Sequence, residues 1–452
     1  MPSIHHFTGN PEILLEKHLR DRETSIFSFE HAQYYLPESP AVTLLAVLLA
    51  SDVQGHCRHF AVVTERLDIA DQWLALNQVN VETMVELAQQ VNAPLVDLFA
   101  PWSLAPVHIA KPWGQEIWFT GIEKRGQSAV TDGLFSMPLP WLLALSPARF
   151  LGVAAREPAL LKILDPLPEE VFGDLYFELH EEKREVYVVT HVDRNAWPDG
   201  RGAIRFGFDQ VARQRAASDE AFRQQFLSAV ADYEQLRRAI DRHCDEIRRE
   251  EGVGLNEPVD AATLKRWLGV VPAPLLERER QAREAMNAFT HMLPLREGDV
   301  VKVPCLTPHA LQHGVRTVEF QTPVYERKIL AFAQKVLTQD HWDTSEAVEL
   351  MSLEAGSLEA LSVISQGADY SLEQVVRFAD FEVQRLNLAA GASLVMPPSG
   401  AYRLVMVATG DASVNSHSCS VEDALLLPAG SGDLTIIAHD SAPAVILICL
   451  PR

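Results

Sequence analysis

The chain is short of positive charge, of cysteine and of long apolar runs, and each shortage removes a class of function. Lys and Arg number 39 against 61 Asp and Glu, a formal net charge of −22 over 452 residues. So acidic a surface repels nucleic acid and anionic membranes, which are bound through Lys and Arg meeting phosphates. Neither is an expected partner. A small phosphorylated ligand remains open, because a few basic residues gathered in one pocket dominate the local field. The five cysteines, Cys57, Cys244, Cys305, Cys419 and Cys449, are odd in number and include no Cys-x-x-Cys pair. That argues for a reducing compartment and against a disulfide framework or a structural zinc knuckle. The N-terminus has neither the cationic nor the apolar part of a signal peptide. The run AVTLLAVLLA at 41–50 is too short to span a bilayer and reads as a buried helix or strand. The expected location is the cytoplasm. Residues 81–99 show helical spacing of Met84, Leu87, Ala88 and Val91, yet no Lys or Arg lies between Arg66 and Lys111, so a DNA-reading helix pair is rejected.

What is present is a chain of two to three domains by length. Residues 1–105 look mostly helical and mixed. From Pro106 short alternating runs such as GDLYFELH, EVYVVTHV and GAIRFGF predict half-buried strands. Between residues 209 and 292 the texture turns helical, with Phe222, Phe226, Val230, Tyr233, Leu236 and Ile240 on one 3.6-period stripe. Strands return after Leu295. A helical bridge near 330–365 then leads to evenly spaced strands over 379–452, the pattern of an antiparallel barrel or jelly roll.

Four positions in the β part supply candidate metal ligands. Glu178 and His180 are two apart, so both leave the same face of a strand. A turn through Glu181-Glu182-Lys183 folds the next strand back and brings Glu185 alongside. His309, in LTPHAL, follows the strand GDVVKVP. Two His and two carboxylates suit Zn²⁺, Fe²⁺, Mn²⁺ or Ni²⁺, and spacing does not choose among them. The cluster His56-Cys57-Arg58-His59 has metal-like composition but reads as an ordinary strand or loop. His191 and His313 are candidates for supporting the ligands.

The order of the flanking motifs is more specific. Lys111-Pro112-Trp113-Gly114-Gln115-Glu116-Ile117-Trp118 comes first, then Leu160-Leu161-Lys162-Ile163-Leu164-Asp165. Glu178-Leu179-His180 and Lys183-Arg184-Glu185-Val186-Tyr187 follow. Last come Gly298-Asp299-Val300-Val301, Thr307-Pro308-His309-Ala310, Glu319-Phe320-Gln321 and Leu427-Pro428-Ala429-Gly430. From about residue 106 to the end this series resembles the type I mannose-6-phosphate isomerases, in the same order.

The resemblance implies a mainly β chain with helical insertions, built as two cupin (jelly-roll) barrels, a helical domain and an N-terminal helical/mixed extension. Residues 1–105 would form the extension, 106–208 with 293–330 the metal-binding barrel, 209–292 the helical insertion, and 331–452 linker helices and a metal-free barrel. It implies one divalent ion, zinc foremost, held by Glu178, His180, Glu185 and His309. The implied activity is an aldose–ketose isomerisation of a phosphorylated sugar, moving a proton between C1 and C2 through an enediol. Glu319 would be the general base and Lys111 or Lys162 a cationic hydrogen-bond donor, with Lys183 and Arg327 facing the phosphate.

This sequence also departs from the family. Glu178 stands where the family has a Gln ligand, and Glu181-Glu182 replace its Pro-Asp-Asp. Cys305-Leu306 replace its Ala-Gly, and Arg327 aligns with its catalytic Arg only across a gap. Two other readings of the same donors stay open: a non-catalytic, sugar-binding or regulatory cupin, and a cupin metalloenzyme of other chemistry such as an Fe²⁺ oxygenase.

Overall fold

The computed structural model describes residues 5–70, 73, 79–152 and 157–452. Strand outweighs helix, with helical segments between the sheets, as the expected mainly β class requires. No helix among the described residues is long and apolar enough to cross a membrane. The chain forms two compact units, one of Met1–Val107, Trp118–Leu161 and Leu361–Arg452, the other of His108–Ile117 and Lys162–Ala360.

The first unit opens with five strands paired in chain order: His5–Phe7, Ser25–Ala32, Ala41–Val53, His56–Thr64 and Val96–Asp97. The apolar run at 41–50 lies in the 13-residue strand, where Leu44 to Leu48 are fully buried between two partner strands. The helix Val81–Val91 is capped by Asn80 and packs Met84, Leu87 and Ala88 onto this sheet. This region therefore holds more strand than its mostly helical reading suggested. The alternating β-branched and aromatic residues of SIFSFEHA and HFAVVT fit a half-buried pleat. The rest of the unit carries a nine-stranded and a four-stranded sheet, whose residues share a core that includes Leu386, Val405, Val414, Ile436 and Ile446.

In the second unit, a six-stranded sheet runs Val300–Val303, Glu185–Val192, Val315–Gln321, Leu160–Pro166, Gly114–Trp118, Val107–Lys111. A five-stranded sheet runs Thr290–Leu295, Gly202–Phe208, His309–Leu311, Phe177–Leu179, Lys328–Ala331. Gly114, at φ +142°, is needed where the sheet turns, since a Cβ there would stand 2.3 Å from the Asp165 carbonyl oxygen. The periodic stripe over 222–240 is borne by a 33-residue helix, Asp219–Glu251, started by the Ser218 cap and ended by Gly252 at φ +71°. Phe222 and Phe226 of this helix meet Phe208 and Phe177 of the five-stranded sheet.

Candidate metal centre

Strand register assembles the centre. Glu178 sits opposite His309 across two antiparallel strands, which puts both side chains on one face of the five-stranded sheet. Glu185 and Tyr187, two apart on the six-stranded sheet, face inward together, and Tyr187 pairs with Glu319 on the next strand. The imidazoles from one sheet and the Glu185 carboxylate from the other come within 4.8 Å of one another. His180 Nε2 lies 3.2 Å and His309 Nε2 2.7 Å from the same oxygen, Glu185 Oε1. All three residues are at most 2% exposed.

The donor chemistry of this trio fits a cation. His180 gives its Nδ1 proton to the Glu326 carbonyl at 2.8 Å, and His309 gives its own to the Thr307 carbonyl at 3.0 Å. In the neutral rings both Nε2 lone pairs are then turned on a carboxylate oxygen. His180 Nε2 is buried and has no hydrogen-bond partner. Burial and then Lys183 push the His180 pKa down, which favours the neutral ring. Burial alone would raise the Glu185 carboxyl, but Lys183 and His180 outweigh it and hold the group well below the usual carboxylate range. Three lone-pair atoms facing one another in a dry interior repel unless a positive charge sits among them. His180, Glu185 and His309 are the residues that would hold a divalent ion. Glu178, expected as a fourth ligand, stands apart: its Oε1 is 3.9 Å from His180 Nε2, and its Oε2 accepts from Arg327 Nη1 at 3.3 Å.

A second group of charges lies beside the trio. Lys162 Nζ is 3.1 Å from Glu319 Oε2 and 3.9 Å from Glu116 Oε1, and Lys111 Nζ is 3.3 Å from the same Glu116 oxygen. Burial, assisted by Glu185, raises the Glu319 carboxyl to about 8 against the pull of Lys162. The Lys162 ammonium stays charged because Glu116, Glu319 and Glu185 outweigh its burial. Lys183, expected to face a phosphate, has its ammonium 2.9 Å from Glu185 Oε2. Arg327 lies over the Tyr176 ring at 4.6 Å and donates Nη2 to Thr338 at 2.8 Å, while its buried Nε has no acceptor. His191 and His313 are spent elsewhere, on Glu297 and Asp174. In the first unit His56–His59 begins a strand, and His59 meets His18 at 3.2 Å.

No family model and no curated protein matches the sequence. Solved structures do match the fold. Mannose 6-phosphate isomerase from Bacillus subtilis is 16% identical, with 77% of this chain and 99% of that chain covered at a TM-score of 0.53. A variant of phosphomannose isomerase from Salmonella typhimurium is 14% identical, covering 78% of this chain and all of that one at 0.53. A zinc-bound mannose 6-phosphate isomerase is 13% identical, covering 78% and 99% at 0.51.

The fold is that of the mannose 6-phosphate isomerases.

Within this isomerase fold, one departure has a visible backbone cost. Leu306, three residues before His309, adopts φ +65°, a left-handed conformation disfavoured for a branched side chain. It is held by hydrogen bonds from its N–H to the His180 carbonyl at 2.7 Å and from Ser352 N–H to its own carbonyl at 2.8 Å. The sequence reading passed over two participants. Tyr187 donates its hydroxyl to Glu185 Oε1 at 2.7 Å, and the i, i+2 spacing in the strand was the signal for it. Glu116 joins Lys111 to Lys162 over a sequence distance that no local pattern reports.

Proposed function

We propose that this chain is a metal-dependent aldose–ketose isomerase acting on a phosphorylated sugar, in the cytoplasm. The observation that carries the reading is the buried meeting of two imidazole Nε2 atoms with one carboxylate oxygen, beside a buried Lys162–Glu319 pair. The same reading takes the six- and five-stranded sheets as a metal-binding cupin barrel with residues 209–292 as its helical insertion. The two C-terminal sheets form the metal-free cupin. A divalent ion, zinc foremost, supplies charge stabilisation to a developing enediolate oxygen.

The protein's own residues do the rest. Glu319 takes the proton from one of the two sugar carbons and returns it to the other. Its raised pKa suits a group that must both accept and give near neutral pH. Lys162 steadies the ionised form of Glu319, and Lys111 holds Glu116 in place for it. Charge balance supports an anionic substrate. Lys111, Lys162, Lys183 and Arg327 face Glu116, Glu178, Glu185 and Glu319 in equal number, so a divalent ion leaves the region positive. The unsatisfied Nε of Arg327 offers a phosphate oxygen a donor. So polar a surrounding speaks against the oxygenase reading, which calls for a dry apolar pocket.

The test is interconversion of mannose 6-phosphate and fructose 6-phosphate, with pentose phosphates in parallel, by the zinc-loaded protein. Turnover is expected, with a loss of about a thousandfold in Glu319→Gln at unchanged metal content. Metal-loaded protein that turns over none of these sugar phosphates refutes the isomerase reading and favours the non-catalytic one.

A further inference from the structure

The helical insertion holds a cavity of about 290 Å³, near the lower end of the size range of small-ligand sites. It lies among the helices Asp219–Glu251, Ala261–Leu268 and Ala273–Asn287 and the segment 333–337. None of the candidate metal ligands, and none of the lysines and glutamates beside them, borders it. Its apolar wall is built by Val259, Leu264, Leu268, Leu276 and Leu337, with Phe172 beneath.

Cations also border the cavity, and most of them are neutralised. Arg237 pairs with Asp241 at 3.0 Å, Arg280 with Glu277 at 2.6 Å and Lys335 with Asp245 at 2.7 Å, and Arg283, whose Nε lacks a hydrogen-bond partner, still has Glu279 at 3.5 Å. Arg248 differs. It is 4% exposed, its Nη1 donates only to the neutral carbonyls of Gly254 and Glu257, and its guanidinium lies over Trp267 at 4.9 Å. Its Nε has no hydrogen-bond partner. The carboxylate on offer, Asp245 Oδ1, is 4.0 Å away, and that same oxygen is the one Lys335 holds at 2.7 Å. A buried guanidinium with one idle donor, a share of one carboxylate at 4.0 Å and otherwise only the weaker pull of Glu257 and Asp241 is under-neutralised, and burial makes that costly.

We propose that this cavity is a second ligand site, specific for a small amphipathic carboxylate. The apolar chain lies among Leu264, Leu268 and Leu276, and the head group accepts from Arg248. A monoanion matches a single under-neutralised guanidinium, and the leucine wall rejects a fully polar metabolite. The proposal is independent of the chemistry at the metal centre.

Octanoate is the probe, titrated calorimetrically into the full-length protein, with octanol and octylammonium as controls. One octanoate is expected per chain, bound about tenfold or more tightly than octanol, and octylammonium is expected not to bind. Arg248→Met is expected to erase the preference for octanoate over octanol, and Leu276→Trp, which fills the cavity, to abolish binding of both. Should either variant fold poorly, hydrogen exchange of the wild-type protein decides. Octanoate-induced protection confined to residues 170–172, 219–287 and 333–337, the segments that border the cavity, is the expected result. Protection elsewhere, absence of octanoate binding at millimolar concentration, equal binding of octylammonium, or an Arg248→Met variant with full preference would each overturn the proposal.

Discussion

Glu185→Gln is expected to abolish the response of this protein to divalent metal while leaving the metal-free protein folded. In the native chain the Nε2 atoms of His180 and His309 converge on Glu185 Oε1 at 3.2 and 2.7 Å, an arrangement that a divalent cation would satisfy. A glutamine of the same shape turns its amide N–H₂ toward those Nε2 atoms and keeps its carbonyl for Lys183, which now sits 2.9 Å from Oε2. Tyr187, whose hydroxyl now donates to Oε1, loses that acceptor, since both amide hydrogens go to the imidazoles. The buried Lys183 ammonium loses its charged partner, and the carbonyl it keeps and the new hydrogen bonds to the imidazoles offset only part of that, so the metal-free variant is expected about 1–3 kcal/mol below wild type. Metal affinity loses a charged ligand and falls by about a hundredfold or more. The check is a melting curve with and without added zinc. Wild type rises by several degrees through mass action and the variant stays flat. A variant that still rises as wild type does contradicts Glu185 as a ligand.

Lys162→Met carries the largest expected cost to stability. Lys162 is buried, and it is the cation 3.1 Å from Glu319, which is only 1% exposed. Removing one partner of a buried pair leaves the other charge uncompensated, a cost of about 3–5 kcal/mol where that charge is fully ionised, which for Glu319 is above about pH 8. Glu319 escapes part of this by keeping its proton, and that makes the effect depend on pH. Its folded pKa is already raised to about 8 by burial, and loss of Lys162 raises it further. A raised folded pKa means that the folded state binds more protons than the unfolded one between the ordinary Glu value and the raised one. Stability is then full at low pH and is lost as pH climbs through that window. Wild type shares that window up to about pH 8, so the variant is expected near wild type from pH 5 to about pH 8 and increasingly weaker above it. Lys162→Met with Glu319→Gln is expected to remove the slope and regain most of the loss. A penalty that is the same at pH 5 and pH 9 would show that Lys162 matters for packing alone.

How much of this was legible in the sequence differs from residue to residue. His180 and Glu185 were suggested by strand spacing, an i, i+2 pair followed by a short turn, and they and His309 were singled out by the order of flanking motifs shared with the mannose-6-phosphate isomerases. The long helix Asp219–Glu251 was legible because its apolar stripe repeats every 3.6 residues. What escaped depends on contacts between segments far apart. Glu178 was grouped with the ligands by its spacing, but its carboxylate turns to Arg327, some 149 residues away in sequence. Lys183 was assigned outward to a phosphate, and only the folded turn shows its ammonium on Glu185. The sheet in the first hundred residues was underestimated because helix Val81–Val91 carries the strongest local pattern there, while the strands draw their stability from pairing with one another.

The central claim, that these residues hold one divalent ion, is tested most directly by anomalous diffraction at the zinc edge from crystals grown with zinc and without chelator. A single strong peak is expected about 2.0–2.2 Å from His180 Nε2, His309 Nε2 and a Glu185 oxygen. A map with no peak among these three residues, or with its strongest peak elsewhere in the chain, would contradict it.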